Sequence, residues 1–370
     1  MPTARIVIDA REYSTSTGRY VLKLLEYLQQ TKSEHEYLVL MKPADFERAQ
    51  FTNPQFTKVV CDVKEFTFAE QTRLLGQIKS LKPDLVHFPM VQQPILYRGC
   101  VVTTMQDLTT IRFRNPSKNP IVFTVKQQIY KLINQIVVRK SKLLITPTAY
   151  VKQDVAAYTH TSPDKITVTL EAADQIPDQP EVVPGLQHSD GSAAQFIMYV
   201  GRPLPHKNLG RLIQAFGLLK QKYPDLKLVL AGKKDALYEK HEAEANKQGI
   251  TDITFAGFVS EGQLRWLYQN CAAYVFPSLS EGFGLPPLEA MIHGAPVTAS
   301  NATCIPEVCG DAAHYFDPTN VEDIARAISD IIDDPTLRQT LITKGHAQAA
   351  LYSWGRMATQ TLDIYNRALQ

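Results

Sequence analysis

The sequence predicts an α/β protein made of two doubly wound parallel-sheet domains joined by a linker, and three observations carry that reading. Short apolar runs alternate with amphipathic helical patterns along most of the 370 residues, the mark of parallel strands joined by crossover helices. The alternation lapses between Asp174 and Gln195, where three prolines, two glycines and scattered polar residues keep no period, and then restarts. A chain of this length also exceeds one comfortable hydrophobic core.

In the first half, Arg5–Ile8 is a β-branched run followed by a helical pattern over Val21–Gln30. Glu36–Leu40, Leu85–Phe88, Val101–Thr104 and Leu143–Thr146 are short apolar segments of the kind that fill a sheet buried on both faces. In the second half Phe196–Val200, Leu226–Ala231, Ile253–Phe255, Ala273–Phe276 and Ala295–Ala299 repeat the pattern, each with a helix-like segment after it. The expected domains are residues 1–173 and 196–354, with 174–195 as linker. Open α/β folds bind ligands at the C-terminal ends of their strands, so the functional residues are sought in the loops that follow strands.

Composition is that of an ordinary soluble protein, 44% hydrophobic and 21% charged. No apolar run reaches the length of a membrane span and no signal peptide precedes the first strand, which leads to the expectation of a cytoplasmic protein. Five scattered cysteines without a Cys-x-x-Cys spacing argue against a disulfide framework and against structural zinc. Net charge is +2, yet residues 1–170 carry 23 Lys and Arg against 14 Asp and Glu while the remainder carries 16 against 23. The first half therefore faces something anionic, or carries the asymmetry incidentally. No Gly-x-Gly-x-x-Gly follows the first strand, which disfavours a nicotinamide dehydrogenase.

The densest chemistry lies in Glu281-Gly-Phe-Gly-Leu-Pro-Pro-Leu-Glu289. A strand ends at Phe276, and Pro286 and Pro287 suit the first turn of a helix that stops at Gly294. Gly282 and Gly284 leave backbone N–H groups unshielded at that helix N-terminus, where anions are favoured. Glu281 and Glu289 are strong multiple acceptors for sugar or ribose hydroxyls. The plainer alternative for Glu289 is favourable placement near a helix N-terminus. A second element, Tyr199-Val-Gly201-Arg202-Pro-Leu-Pro-His-Lys207-Asn208, sets a guanidinium and an ammonium on one loop, a pair suited to a diphosphate leaving group.

With these segments in order, the chain resembles the family 4 retaining glycosyltransferases of GT-B fold over nearly its whole length. The series Gly201-Arg202, Lys207-Asn208, Phe255-Ala-Gly257-Phe258, Pro277-Ser278, Glu281 to Glu289, Gly294-Ala-Pro-Val297, Pro306-Glu307-Val308 and Gly310-Asp311-Ala312-Ala313 carries the likeness. The resemblance implies two Rossmann-like domains facing across a cleft. It implies a nucleotide-sugar co-substrate, GDP- or UDP-linked, with no other cofactor, and a glycan or lipid-linked acceptor. Arg202 and Lys207 match the pair that binds the diphosphate. Glu281 matches the carboxylate that contacts the donor sugar, and Glu289 the one that contacts the ribose. Gly201 and Gly282 to Leu285, including Phe283 and Gly284, border sugar and phosphate, and Phe258 borders the nucleobase unless it is a core residue.

Retention in the family is explained by front-face attack, in which the leaving phosphate takes the acceptor proton. The rival is a carboxylate nucleophile, for which Glu281 is the one candidate. No Asp-x-Asp signature is present, so no metal is expected. The leading donor is GDP-mannose, with UDP-linked sugars as the alternative and an inactive sugar-nucleotide or glycan-binding protein as a different class.

The likeness counts Gly18, in the loop after the first strand, with the residues that border the nucleotide-sugar donor, and on the acceptor side it points to Arg19 and to Gln106 and Asp107 after Val101–Thr104. Gln106 departs from the family's usual histidine, and Gly18 is the one glycine kept in its loop. Gln donates and accepts a hydrogen bond but carries no charge. Asp107 either orients its loop or touches the acceptor, and His87 is expected to be structural. Between Ile111 and Lys142 eight basic residues, among them Arg112, Arg114, Lys118, Lys126, Lys131, Arg139 and Lys140, interleave with apolar ones such as Ile121, Val122, Phe123 and Ile129. That stretch is either an anionic-membrane contact or a core helix with a solvated basic face. No nucleic-acid partner is expected. The closing segment 355–370, after Trp354, resembles the family's last helix, which returns to the first domain.

Overall fold

A computed structural model describes residues 3–15, 18–113, 120–188 and 190–370. Arg114 and Lys118, and the side chains of Ile121 and Val122, fall outside the described residues. The chain divides into two compact units: Met1–Ile111, Thr124–Glu171 and Ser353–Gln370 form the first, and Arg112–Phe123 with Ala172–Tyr352 the second. The expected boundaries at 173 and 355 differ from these by two residues each. Segment 174–195 belongs to the second unit and does not stand apart from it.

The first unit holds a parallel sheet of β1 (Arg5–Asp9), β2 (Glu36–Met41), β3 (Phe56–Val60), β4 (Leu85–Phe88), β5 (Val101–Thr104), β6 (Leu143–Thr146) and β7 (Ile166–Val168). Its order is β3-β2-β1-β4-β5-β6-β7, so winding reverses between β1 and β4. Val7 pairs with Leu38 on one side and Val86 on the other, and all three are buried. β4 and β5 are buried at every position, which is why they read as unbroken apolar runs and not as alternation. Leu38, Leu40, Leu74, Ile78, Val86 and Phe88 build a core on one face of the sheet.

The helix Trp354–Leu369 closes the first unit and packs on the helix Arg19–Leu28. Ser353 caps it through a hydrogen bond to the backbone N–H of Arg356, and its buried stripe runs through Met357, Thr361, Ile364, Tyr365 and Ala368. Tyr365 Oη lies 2.7 Å from Nδ1 of His87, whose Nε2 lies 2.9 Å from Thr104 Oγ1. His87 is fully buried, and burial pushes its imidazole down to about 3, so it stays neutral and joins the last helix to β4 and β5. This is the structural role expected for it.

The second unit holds β8 (Phe196–Val200), β9 (Lys227–Ala231), β10 (Ile253–Gly257), β11 (Ala273–Phe276), β12 (Val297–Ser300) and β13 (Ala313–Phe316), parallel and in the order β10-β9-β8-β11-β12-β13. Winding reverses between neighbours β8 and β11. The loops leaving those two strands start side by side, at the switch point where open α/β sheets bind ligands. Leu209–Lys222 and Val321–Asp333 bury Leu212, Phe216, Ile324 and Ile328 against this sheet. The segment before β8 is tied down as well: Ile176 N–H donates to His293 Nε2, and Arg265 donates to the carbonyls of Ile176 and Asp178.

Candidate functional site

The loop after β8 turns at Gly201, whose φ of +146° admits few side chains, and an added Cβ would stand 2.7 Å from Tyr199 Oη. Tyr238 Oη donates to the Gly201 carbonyl at 2.7 Å and Tyr199 Oη to the Arg202 carbonyl at 3.2 Å. Two buried tyrosines thus fix the backbone on either side of the turn, while the Arg202 side chain is exposed, with no hydrogen bond or ion pair among the described residues. The chain then makes one short 3-10 turn, Pro205–Lys207, and enters the helix Leu209–Lys222 through Asn208 in the left-handed conformation.

Asn208, which the sequence placed in the motif without a task, joins the two loops. Its Nδ2 donates to the carbonyls of Pro277 at 3.0 Å and Pro318 at 2.7 Å, and its Oδ1 accepts from Arg211. Leu279 N–H adds a bond to the His206 carbonyl at 2.7 Å. The loop after β8 is therefore fixed to the loop after β11 by backbone-directed bonds before any charge is counted.

Those anchors bring Lys207 to Glu281. Lys207 Nζ lies 2.7 Å from Oε1 and 3.0 Å from Oε2, and the side chains keep 20% and 11% of their exposure. Thr303 Oγ1 accepts from Glu281 N–H, and the Cys304 thiol lies against the carbonyls of Glu281 and Phe283. Burial beside Glu281 holds the Cys304 thiol well above its ordinary range, so it is a structural thiol. His206, next to Lys207, is pushed down to about 4, mainly by burial and then by the Lys207 charge.

The helix Leu285–Ile292 begins at Gly284, whose φ is +92° and whose added Cβ would meet the Phe276 ring at 3.3 Å. Prolines occupy its first turn, and Phe283 is buried edge-on against Tyr352. Glu289 is the fifth residue of this helix, 8% exposed, and accepts a hydrogen bond from Tyr268 Oη at 3.3 Å. His293 Nδ1 bonds the Glu289 carbonyl and its Nε2 takes the Ile176 N–H, which fixes the neutral tautomer. Phe258, just past β10, is 89% exposed and so is not the core residue that was one of its two readings.

The arrangement offers a diphosphate-sized anion an exposed guanidinium, an ammonium and a glycine-lined helix N-terminus on adjoining loops. It offers hydroxyls the carboxylate of Glu281. No group of three or more His, Cys, Asp or Glu side chains that could hold a metal ion occurs among the described residues.

The donor-side candidate Gly18 and the acceptor-side candidates Arg19, Gln106 and Asp107 lie in the first unit. Gly18 is buried, and a Cβ there would stand 2.1 Å from the Glu12 carbonyl oxygen, so close packing of its own loop already requires glycine. Arg19 is exposed and opens the helix Arg19–Leu28. Asp107 Oδ1 accepts from Thr109 N–H at 2.7 Å, which orients the loop after β5. Gln106 Nε2 is buried without a hydrogen-bond partner. Along the helix Pro120–Lys140, Val125, Ile129 and Leu132 are exposed, whereas Lys140 turns inward to bond the Pro94 carbonyl beside the Phe88 ring and leaves the expected basic face. Among the described residues no helix is long and apolar enough to cross a membrane, and all five cysteines are free.

Residues 188–348 match the protein family described as Glycosyl transferases group 1. The chain is 30% identical to O-antigen chain mannosyltransferase B of Escherichia coli, a match that covers 95% of this chain and 96% of that one. It is 34% identical over 229 residues to the serotype-specific mannosyltransferase WbdA of Escherichia coli, taking in 59% of this chain and 28% of the other. Among solved structures, sucrose-phosphate synthase from Thermosynechococcus elongatus aligns over 98% of both chains with a TM-score of 0.77 at 16% identity, a likeness of fold.

Proposed function

Because this chain is a glycosyltransferase of the group 1 family with the GT-B fold, we propose that it moves mannose from GDP-mannose, with retention and without a metal ion, to a hydroxyl of a growing or lipid-linked glycan. The observation that carries this reading is the Lys207–Glu281 pair at the point where winding reverses, with Arg202 exposed beside it and the Gly284 helix N-terminus following. The mannosyl choice is supported by the relatives, named as mannosyltransferases.

Arg202 and Lys207 receive the diphosphate and offset the charge that builds on it as the glycosidic bond breaks. Lys207 then turns from Glu281 toward phosphate, and the released carboxylate accepts hydrogen bonds from the sugar hydroxyls. Glu289 meets the ribose, the N–H groups of Gly282 to Leu285 meet phosphate and sugar, and Phe258 supplies an apolar face for the base. The acceptor attacks from the face the phosphate is leaving, and a phosphate oxygen takes its proton. The two cations supply what a divalent ion supplies elsewhere.

The acceptor is bound by the first unit through Gln106, Asp107 and Arg19, and the exposed Val125, Ile129 and Leu132 stripe beside Lys126 gives that unit a face suited to peripheral contact with an anionic membrane. A UDP-linked sugar is the second donor. The test is a thermal-shift panel of GDP, UDP and ADP sugars followed by turnover with and without EDTA. Stabilisation by a GDP sugar and EDTA-resistant turnover support the proposal; loss of turnover in EDTA contradicts its metal-free step.

A further inference from the structure

In the second unit, the carboxylate read above as the ribose contact is held from two sides by groups to which that reading gives no task. Glu289 sits in the helix Leu285–Ile292 and is 8% exposed. Tyr268, fully buried on the helix Glu261–Asn270, donates its hydroxyl to Glu289 Oε2 at 3.3 Å. His293, just past the end of the Glu289 helix, donates Nδ1–H to the Glu289 carbonyl at 2.8 Å and accepts the Ile176 N–H at Nε2. The Tyr268 and His293 rings stack with centroids 5.7 Å apart and planes 18° from parallel. Tyr274, on β11, meets the Tyr268 ring edge-on at 5.7 Å.

A glutamate side chain has several rotatable bonds, and ordering it only when a ligand arrives weakens binding by the freedom then lost. Here that freedom is given up on folding. His293 fixes the backbone of Glu289, the ring stack fixes Tyr268, and the Tyr268 hydroxyl fixes the carboxylate. Burial in this stack does not of itself bring a partner to a tyrosine: Tyr274 is buried as fully as Tyr268, and its hydroxyl has none among the described residues. The 3.3 Å bond is long, as hydrogen bonds at a site often are until the ligand tightens them. The kind of donor also matters. Glu281 is held by the Lys207 cation, which on the reading above must turn away before the carboxylate meets a sugar. Glu289 is held by a neutral phenol, which orients the carboxylate without offsetting its charge and stays in place when the ribose arrives.

We infer that Tyr268 is a positioning residue for the ribose of the nucleotide: seated against the His293 ring, it sets the Glu289 carboxylate to accept from the 2′- and 3′-hydroxyls and so sharpens the preference for a ribonucleotide. The inference rests on the reading of Glu289 as the ribose contact. It adds to that reading a residue that acts through Glu289 and not on the nucleotide itself.

The test is titration calorimetry of the full chain with GDP and 2′,3′-dideoxy-GDP, and with UDP and its dideoxy analogue as a second pair, since the ribose is common to both bases. Four proteins are compared: wild type, Tyr268→Phe, Glu289→Ala and the double variant. Wild type is expected to prefer the ribonucleotide by about tenfold or more, the worth of a hydrogen bond to a charged group. Tyr268→Phe keeps the ring and its stack, and should cut that preference about fivefold while affinity for the dideoxy nucleotide stays within about twofold. Glu289→Ala should abolish the preference, and adding Tyr268→Phe to it should change nothing further. Each preference is a ratio within one protein, so a fraction that fails to fold leaves it unmoved. Full preference in Tyr268→Phe, or equal weakening of both nucleotides, overturns the role of Tyr268 and leaves that of Glu289 standing. The same loss on removing the hydroxyl with or without Glu289 also overturns it. A wild type without preference, or a Glu289→Ala variant that keeps it, removes the ribose reading of Glu289 and the inference with it.

Discussion

Removing Lys207 separates stability from chemistry more cleanly than any other change in this molecule. Its Nζ stands 2.7 Å and 3.0 Å from the two oxygens of Glu281, in a site where the side chains retain 20% and 11% exposure. With an effective dielectric of about 20, two unit charges at that distance attract by roughly 6 kcal/mol. Desolvation cancels most of this, and a partly buried pair should retain a coupling of about 1–3 kcal/mol. Lys207→Ala leaves Glu281 without its cation and should cost about 2 kcal/mol of folding stability, with Glu281→Ala costing a similar amount. The double variant should lose less than the sum by that coupling. Urea unfolding of the four proteins measures it, and only a modest fall is expected in 1 M salt, because burial shields the pair from screening. Turnover should fall much further, by about 10²–10³ for either single variant, the usual effect of deleting one preorganised charged contact. Additive stability losses would mean that the pair does not form in solution. Activity losses no larger than the unfolded fraction explains would reduce the pair to a structural contact.

Gly201→Ala should cost about 2–3 kcal/mol, because the backbone is at φ +146° and the new methyl meets the buried Tyr199 hydroxyl; thermal melting reads it directly. His87→Phe should lower stability at neutral pH by about 2 kcal/mol by stranding the Tyr365 hydroxyl. Since folding depresses the His87 pKa, its contribution is present above the unfolded value of 6.5 and lost as pH falls toward 3. Between pH 7.5 and 5, the unfolding free energy of wild type in urea should therefore fall by about 2 kcal/mol relative to the Phe variant. Glu171, buried three residues past β7, has the opposite sign: burial pushes its carboxyl up to about 7 from an ordinary 4.5, so its contribution is fully present at acid pH and lost as pH rises through 7. Glu171→Gln should then gain about 2–3 kcal/mol on wild type between pH 4.5 and 8, and parallel pH profiles would contradict a carboxyl held up by burial.

Interior strands were readable from composition because they are buried on both faces. β4, β5, β6, β8 and β11 have the limits expected from their apolar runs. The three strands without a sequence signal, β3, β7 and β13, are all sheet edges. β3 reads Phe-Thr-Lys-Val-Val with one buried position, and β7 is three residues long, too little for either period to register. Missing β7 hid Glu171, which looks like an unremarkable acid until the strand before it is placed. The glycines, prolines and charges of the loops after β8 and β11 were legible because their chemistry is local. Asn208 was not, because its two carbonyl partners, at Pro277 and Pro318, are distant in sequence. Lys140 misled in the other direction: a basic residue on a periodic helix counts as solvated, yet it found a buried carbonyl.

The central claim is transfer of mannose from GDP-mannose with its configuration kept, and proton NMR of the product formed on a mannoside acceptor in EDTA tests it most directly. The account expects GDP release together with a new α-linked mannosyl signal, both lost in Lys207→Ala. A β-linked product, or turnover that depends on added metal, would contradict it.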